Sequence, residues 1–223
     1  MIADTMEGLE RIEGVRVEVG REAVVVTADR ALDVVSSAVA GGGFGRARTV
    51  VNLHVPKHTC PEDVENVLEA FVRERGLPAP WLGLCTAAWT ERARIAVETL
   101  GDTRALVVAT VGLGNRVAAG ITPVAAAAAS TINTIVVVDA DAEPAALVNL
   151  VATVTEVKTA LLLEAGVRCD DGAAATGTST DAVVVAATGR GGRRRFGGPI
   201  SELGWLVARA ARGALGEGIR GWR

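Results

Sequence analysis

The sequence predicts an α+β fold: a mixed, largely antiparallel sheet layered with about four helices, in a single domain over residues 1–223. Three observations predict it. Segments in which apolar and polar residues alternate recur along the chain, the period-two mark of half-buried strands. Two pairs of these segments are separated by tight turns, as hairpins are, which argues against a purely parallel sheet. Stretches of helical period fall between them, and 49% hydrophobic against 22% charged residues supply a layered core.

In chain order, Val15, Val17 and Val19 alternate with Arg16 and Glu18 as a strand, and Gly20-Arg21 turns the chain into a second strand over Ala23 to Val26. A short helix or turn is expected around Asp29 to Ala38, followed by the run Gly41-Gly42-Gly43. Arg48 to Val55 reads as a strand ended by Pro56. Thr59 and Glu62 form a capping box. Val64, Val67, Leu68, Phe71 and Val72 then make an amphipathic stripe that stops at Gly76. Leu82–Thr86 reads as a short strand, and Arg94–Thr99 with Arg104–Thr110 as a hairpin about Gly101-Asp102. A glycine-bearing loop covers Gly112 to Gly120, and an Ala tract over Pro123–Ala129 reads as a surface helix or mobile excursion. Ile132–Val138 is a strand. A long helix is expected from Pro144 to Ala165, closed by Gly166, then a strand over Asp181–Ala187. A basic, glycine-rich loop spans Arg190–Arg195, and a final helix from Pro199 carries Leu203, Leu206 and Val207 on one face and ends near Gly216.

Composition excludes several classes. Net charge is −3, which disfavours a general nucleic-acid binder, and 3% aromatics with no Tyr disfavours base-stacking platforms. All but two of the 23 basic residues are Arg, the exceptions being Lys57 and Lys158. Three Cys (Cys60, Cys85, Cys169) do not make a disulfide scaffold. No signal-peptide pattern opens the chain, and the apolar segments read as shorter than a membrane span. The expectation is a cytoplasmic protein with no nucleic-acid or membrane partner, and with room for a homo-oligomer.

Four constellations could carry chemistry. TGTSTD, from Thr176 to Asp181, packs Thr178, Ser179 and Thr180 around Gly177, ahead of a buried strand. Its N–H groups could form an anion nest or oxyanion hole, with Asp181 as base; equally, its hydroxyls could cap the strand end. On the long helix, Lys158 falls inside the apolar arc of Leu147, Leu150, Val151, Val154, Val157 and Leu161, whereas Glu156 and Thr159 point away. A buried ammonium needs a partner, so Lys158 could serve chemistry or snorkel from the core edge. His54 and His58 flank Pro56, which breaks the helical geometry of an i, i+4 metal pair, so no protein metal is expected. Cys60 beside His58 could be a nucleophile or structural. Gly112 to Gly120 lacks the dinucleotide spacing.

Taken together, VVSSAVAGGG and VVN (Val34–Gly43, Val50–Asn52), LCTAA (Leu84–Ala88), VATVGLGN (Val108–Asn115), TINTIVVVD (Thr131–Asp139), TEVKTALL (Thr155–Leu162), ATGTSTDAVVVA (Ala175–Ala186) and GGPISELGWLVARA (Gly197–Ala210) resemble the adenosylcobinamide amidohydrolases. Ser130 and Phe196 depart from the family pattern, where Gly and Tyr are expected. The resemblance implies hydrolysis of the amide between the aminopropanol arm and the corrin ring, giving adenosylcobyric acid for cobalamin salvage. The implied partner is a corrinoid small molecule that carries its own cobalt, so no cofactor is required. A corrinoid-binding protein without turnover and an amidase or acyltransferase of small amides are the alternatives. Amide hydrolysis needs a nucleophile, oxyanion donors and a proton for the leaving amine. Either Glu156 or Asp181 activates water with Lys158 and the TGTST backbone as donors, the scheme that the absence of a Ser-His or Cys-His pair favours, or a hydroxyl of Ser37, Thr178 or Thr180 attacks with Lys158 or Asp181 as base. Ser36, Asn52, Thr86, Asn115, Asn133, Gly177 and Ser179 are the expected substrate-binding residues.

Overall fold

The computed structural model describes residues 12–57, 63–124 and 130–222. Its central sheet has eight strands: β1 (Val15–Val19), β2 (Ala23–Ser36), β3 (Gly43–His54), β4 (Trp81–Thr86), β5 (Arg94–Leu100), β6 (Thr103–Val111), β8 (Ile132–Val138) and β11 (Ala182–Ala187). Two-residue strands β7 (Arg116–Val117) and β10 (Gly177–Thr178) pair with each other, as do β9 (Asp141–Ala142) and β12 (Arg193–Arg194). The helices are α1 (Val64–Glu74), α2 (Pro144–Glu164) and α3 (Glu202–Gly221), and a 3-10 turn covers Thr90–Arg92. Sheet order is β4-β3-β2-β11-β8-β6-β5, with β1 beside β2; only β3–β4 and β11–β8 are parallel. The α+β, largely antiparallel reading holds.

The sheet folds over on itself. Register between β2 and β3 slips between Thr27 and Leu32, a bulge that bends both long strands. The bend makes two leaves. Val24, Val26 and Val50 of one leaf share a core with Leu106, Val108, Ile135, Val137 and Val184 of the other. Outside the first leaf, α1 covers Val25, Val51 and Leu53 through Val64, Leu68 and Val72. Outside the second, α2 and α3 cover Val107, Val136, Val138, Val183 and Val185. The layers therefore run α1, leaf, leaf, α2 with α3.

Three expectations need correction. Asp29 to Ala38 is not a short helix or turn: β2 runs unbroken to Ser36, because Leu32, Val34 and Ser36 are buried on a period of two while Asp33 is exposed. α3 does not end near Gly216 but continues to Gly221. Its glycines are close-approach points: a Cβ on Gly218 would lie 2.5 Å from Val111 Cγ2, and one on Gly213 would lie 3.1 Å from Ala96 Cβ. By length and composition α2 could cross a bilayer, with a mean hydropathy of 1.6; here Ala146, Leu147, Leu150, Val154, Leu161 and Leu162 are buried in the core. The Thr59–Glu62 capping box, His58, Cys60 and Ala125 to Ala129 lie outside the described residues.

Candidate active site

At one end of the double leaf converge the starts of β8 and β11, the ends of β3, β4 and β6, and the chain leaving β2. The loop from β10 to β11 is tied there by one carboxylate. Asp181 Oδ1 accepts from the Ile132 amide at 3.0 Å and from the Thr178 hydroxyl. Its Oδ2 accepts from the Thr178 amide at 3.0 Å and from the Lys158 ammonium, which reaches in from α2. The Lys158 and Asp181 side chains are only 10% and 11% exposed. Gly177 is required by this knot, since a Cβ there would stand 2.5 Å from Asp181 Oδ2 and 3.0 Å from Lys158 Nζ.

Four donors fill the roughly four acceptor positions of a carboxylate. Asp181 thus has no lone pair left for a free water. The proton it is placed to receive is that of Thr178 Oγ1. Glu156, the other expected base, is exposed on the outer side of α2 and does not enter this cluster. Of the expected nucleophiles, Thr178 has a hydroxyl that already donates to an expected base.

The lip of the loop is held from two sides. Asn115 Nδ2 donates to Ser179 Oγ at 2.6 Å, and the Ser179 amide donates to the Asn115 carbonyl at 3.3 Å. The Thr131 hydroxyl donates to the Thr180 carbonyl at 2.6 Å. Ser179 and Thr180 are exposed, and the Ser179 hydroxyl keeps its proton to donate outward. Ser37 is also exposed, but its Oγ accepts from the Val183 amide at 3.0 Å and so splices the end of β2 onto β11. Ser36 Oγ accepts from the Ala38 amide, and Thr86 Oγ1 from the Ala88 amide, as local caps.

Asn52 and Asn133, expected as substrate ligands, form a seam between the leaves. Asn52 Nδ2 donates to Thr110 Oγ1 at 2.9 Å; Asn133 Nδ2 donates to Asn52 Oδ1 at 2.8 Å and to the Cys85 carbonyl at 3.0 Å. Both side chains are buried, so their amides serve the protein. Thr110 and Thr131 complete this network, and sequence reasoning missed both. Thr110 was detectable, as a hydroxyl on the same strand face as Leu106 and Val108. Burial pushes the Cys85 thiol up to about 12, which leaves it inert.

Beside the loop opens a cleft of about 200 Å³, lined by Trp89, Trp222, Arg92, Arg94, Gly112, Gly114 and Ser130 among others. Sequence reasoning did not single out either Trp. His54, whose Nδ1 lies 2.9 Å from the Ala88 carbonyl, stacks on Trp89 at 5.1 Å. Among the described residues no group of His, Cys, Asp and Glu could hold a metal.

A hydroxyl bonded to a carboxylate that an ammonium clamps is an arrangement that can carry acyl transfer. The chain belongs to the adenosylcobinamide amidohydrolase family, whose profile matches residues 7–223. An adenosylcobinamide amidohydrolase from Methanosarcina mazei is 32% identical over 145 residues, 65% of this chain; the match spans just under two thirds of that relative, 64%. Among solved structures, the PH0078 protein of Pyrococcus horikoshii matches at a TM-score of 0.48 and 12% identity, over 96% of this chain and 81% of its own. A Burkholderia beta-aminopeptidase matches at 0.49 and 15%, over 93% and 83%.

Proposed function

We propose that this chain hydrolyses the amide joining the aminopropanol arm of adenosylcobinamide to the corrin ring, giving adenosylcobyric acid and aminopropanol. Family membership over nearly the whole chain supports the substrate. The observation that carries the chemistry is the Thr178–Asp181–Lys158 cluster at the mouth of β11.

Thr178 Oγ1 attacks the scissile carbonyl carbon as its proton passes to Asp181 Oδ1. The oxyanion of the tetrahedral intermediate is met by donors of the loop lip, the Ser179 hydroxyl among them. Asp181 returns the proton to the leaving nitrogen, the C–N bond breaks, and the acyl group stays as an ester on Thr178. Water then attacks that ester as one of its protons passes to Asp181 Oδ1, which the acylated Thr178 no longer occupies; the bond from the acyl carbon to Thr178 Oγ1 breaks, that proton restores the Thr178 hydroxyl, and the acid leaves. Lys158 keeps Asp181 in register and offsets the negative charge that gathers beside it. Thr178 is 6% exposed. A slender, extended amide arm is the kind of group that reaches such a hydroxyl. The cobalt arrives within the substrate, and the scheme uses no cofactor of the protein. This reading puts the reaction in the cytoplasm, with the corrinoid as the one partner it requires.

The test is incubation with adenosylcobinamide and mass spectrometry of the corrinoid. Adenosylcobyric acid is the expected product. Thr178→Val should lower kcat by about 1,000-fold or more, while Thr178→Ser keeps measurable turnover. Undiminished turnover by Thr178→Val would remove the covalent scheme. A perturbed corrin spectrum with no acid formed would replace the hydrolase by a corrinoid-binding protein, and turnover of small amides alone would replace the substrate.

A further inference from the structure

We infer that the cleft beside the loop is a nucleoside subsite and, resting on the reading above, that it receives the adenosyl group of the substrate. The mechanism uses none of the groups that line it. Seven aromatic residues serve the whole chain, four of them Trp, and two of those Trp line this one cleft. Trp89 is 57% exposed and Trp222 39% exposed, although large indole surface is normally kept from water. Each indole is backed by the protein. The His54 ring stacks on Trp89 with an interplanar angle of 15°, and the Arg116 guanidinium lies 6.0 Å from the centroid of Trp222. Backed in this way, each indole is a preformed wall.

The floor is made of small residues. A Cβ on Gly112 would come within 3.2 Å of Ala88 Cβ and 3.1 Å of Ser130 Oγ, and one on Gly114 would come within 2.8 Å of Ser130 Oγ. At about 200 Å³ the cleft is below the usual range for a drug-sized ligand, so it suits one bicyclic heterocycle rather than a corrin macrocycle. Its polar groups are donors. Ser130 Oγ accepts from the Gly114 amide at 2.8 Å, so its own proton is available to the cleft, and Arg92 adds a guanidinium. Purine ring nitrogens and ribose oxygens accept such bonds, and a purine π-face stacks on indole. The cleft also borders the reacting loop. Gly112 and Gly114 lead directly to Asn115, which holds Ser179, and Ser130 precedes Thr131, which holds Thr180. A group bound here is therefore next to the loop where the amide arm would react.

The experiment titrates 5′-deoxyadenosine, adenosine monophosphate and inorganic phosphate calorimetrically into the wild-type protein, Trp89→Ala, Trp89→Phe and Trp222→Ala. A second arm compares KM for adenosylcobinamide with KM for cobinamide lacking the adenosyl group. The expected result is binding of 5′-deoxyadenosine that weakens about 10-fold or more in either alanine variant and is largely kept by Trp89→Phe. KM for adenosylcobinamide should rise by a similar factor while KM for the other corrinoid holds. Binding of the monophosphate and phosphate but not of 5′-deoxyadenosine would make the cleft an anion site and overturn the inference. So would equal effects of the Trp variants on both corrinoids. If neither corrinoid is hydrolysed, the proposed reaction fails, and the nucleoside titration still decides whether the cleft binds a purine.

Discussion

Replacing Lys158 by methionine tests the central knot. The change keeps most of the aliphatic stem, so packing beneath β10 is little disturbed, but it removes the ammonium from Asp181. Breaking a buried ion pair by deleting one partner costs about 3–5 kcal/mol, because a charge stays behind in poor solvent. Here three donors remain on the carboxylate: the amides of Ile132 and Thr178, and the Thr178 hydroxyl. The expected loss therefore sits at the low end, about 3 kcal/mol. For a chain of this size each kcal/mol is worth about 2–4 °C, so Tm should fall by roughly 6–12 °C. Urea denaturation and thermal melting measure it. Adding Asp181→Asn to Lys158→Met should recover part of the loss, because the stranded charge is gone while hydrogen-bonding atoms remain. A fall below about 1 kcal/mol, the range of exposed pairs, would refute the claim that this pair is buried and energetically coupled. Unchanged kcat in a destabilised Lys158→Met protein would make Lys158 purely structural.

Three further outcomes are expected. Gly177→Ala pushes a methyl against Asp181 Oδ2 and Lys158 Nζ; it should abolish turnover and cost about 1–3 kcal/mol in urea. Asn52→Ala strands buried partners on Thr110 and Asn133; a loss of about 1–3 kcal/mol is expected, and the Asn52/Asn133 double variant should be non-additive. Burial raises the Cys85 thiol from 9.0 to about 12. Its stabilising contribution is therefore full below about pH 9 and is lost as pH climbs toward 12, because the unfolded chain ionises first. Wild type should lose stability between about pH 8 and about pH 11 more steeply than Cys85→Ser, and equal slopes would contradict the burial.

Strands with clean alternation or a continuous apolar run were legible. Ile132–Val138 is read at both ends as observed, and the hairpin about Gly101 follows from its turn, where Gly101 takes φ +57°. Residues 29 to 38 were not legible, because Asp29, Arg30 and Asp33 read as a turn until the bulge and the long partner strand β3 are known. Tertiary pairing outweighs local preference there. In the site, the inward placement of Lys158 followed from helical period alone, and the TGTSTD turn stood out by its composition. That the two meet at Asp181 is a contact between a helix and a loop, which no spacing encodes. The partners of the asparagines were hidden for a related reason. An amide looks the same in a sequence whether it faces a ligand or another strand, and Asn52 with Asn133 chose each other.

The strand order has a consequence for how the chain is made. β11 fits between β2 and β8, so Asp33–Ser36 has to wait for Val184–Ala187 before its hydrogen bonds can close. Synthesis from the N-terminus thus delivers two unfilled edges long before the strand that joins them. A chain truncated before Ala182 is accordingly not a smaller version of this fold but a sticky intermediate. Folding should be slow and finished only once the strand Ala182–Ala187 has left the ribosome.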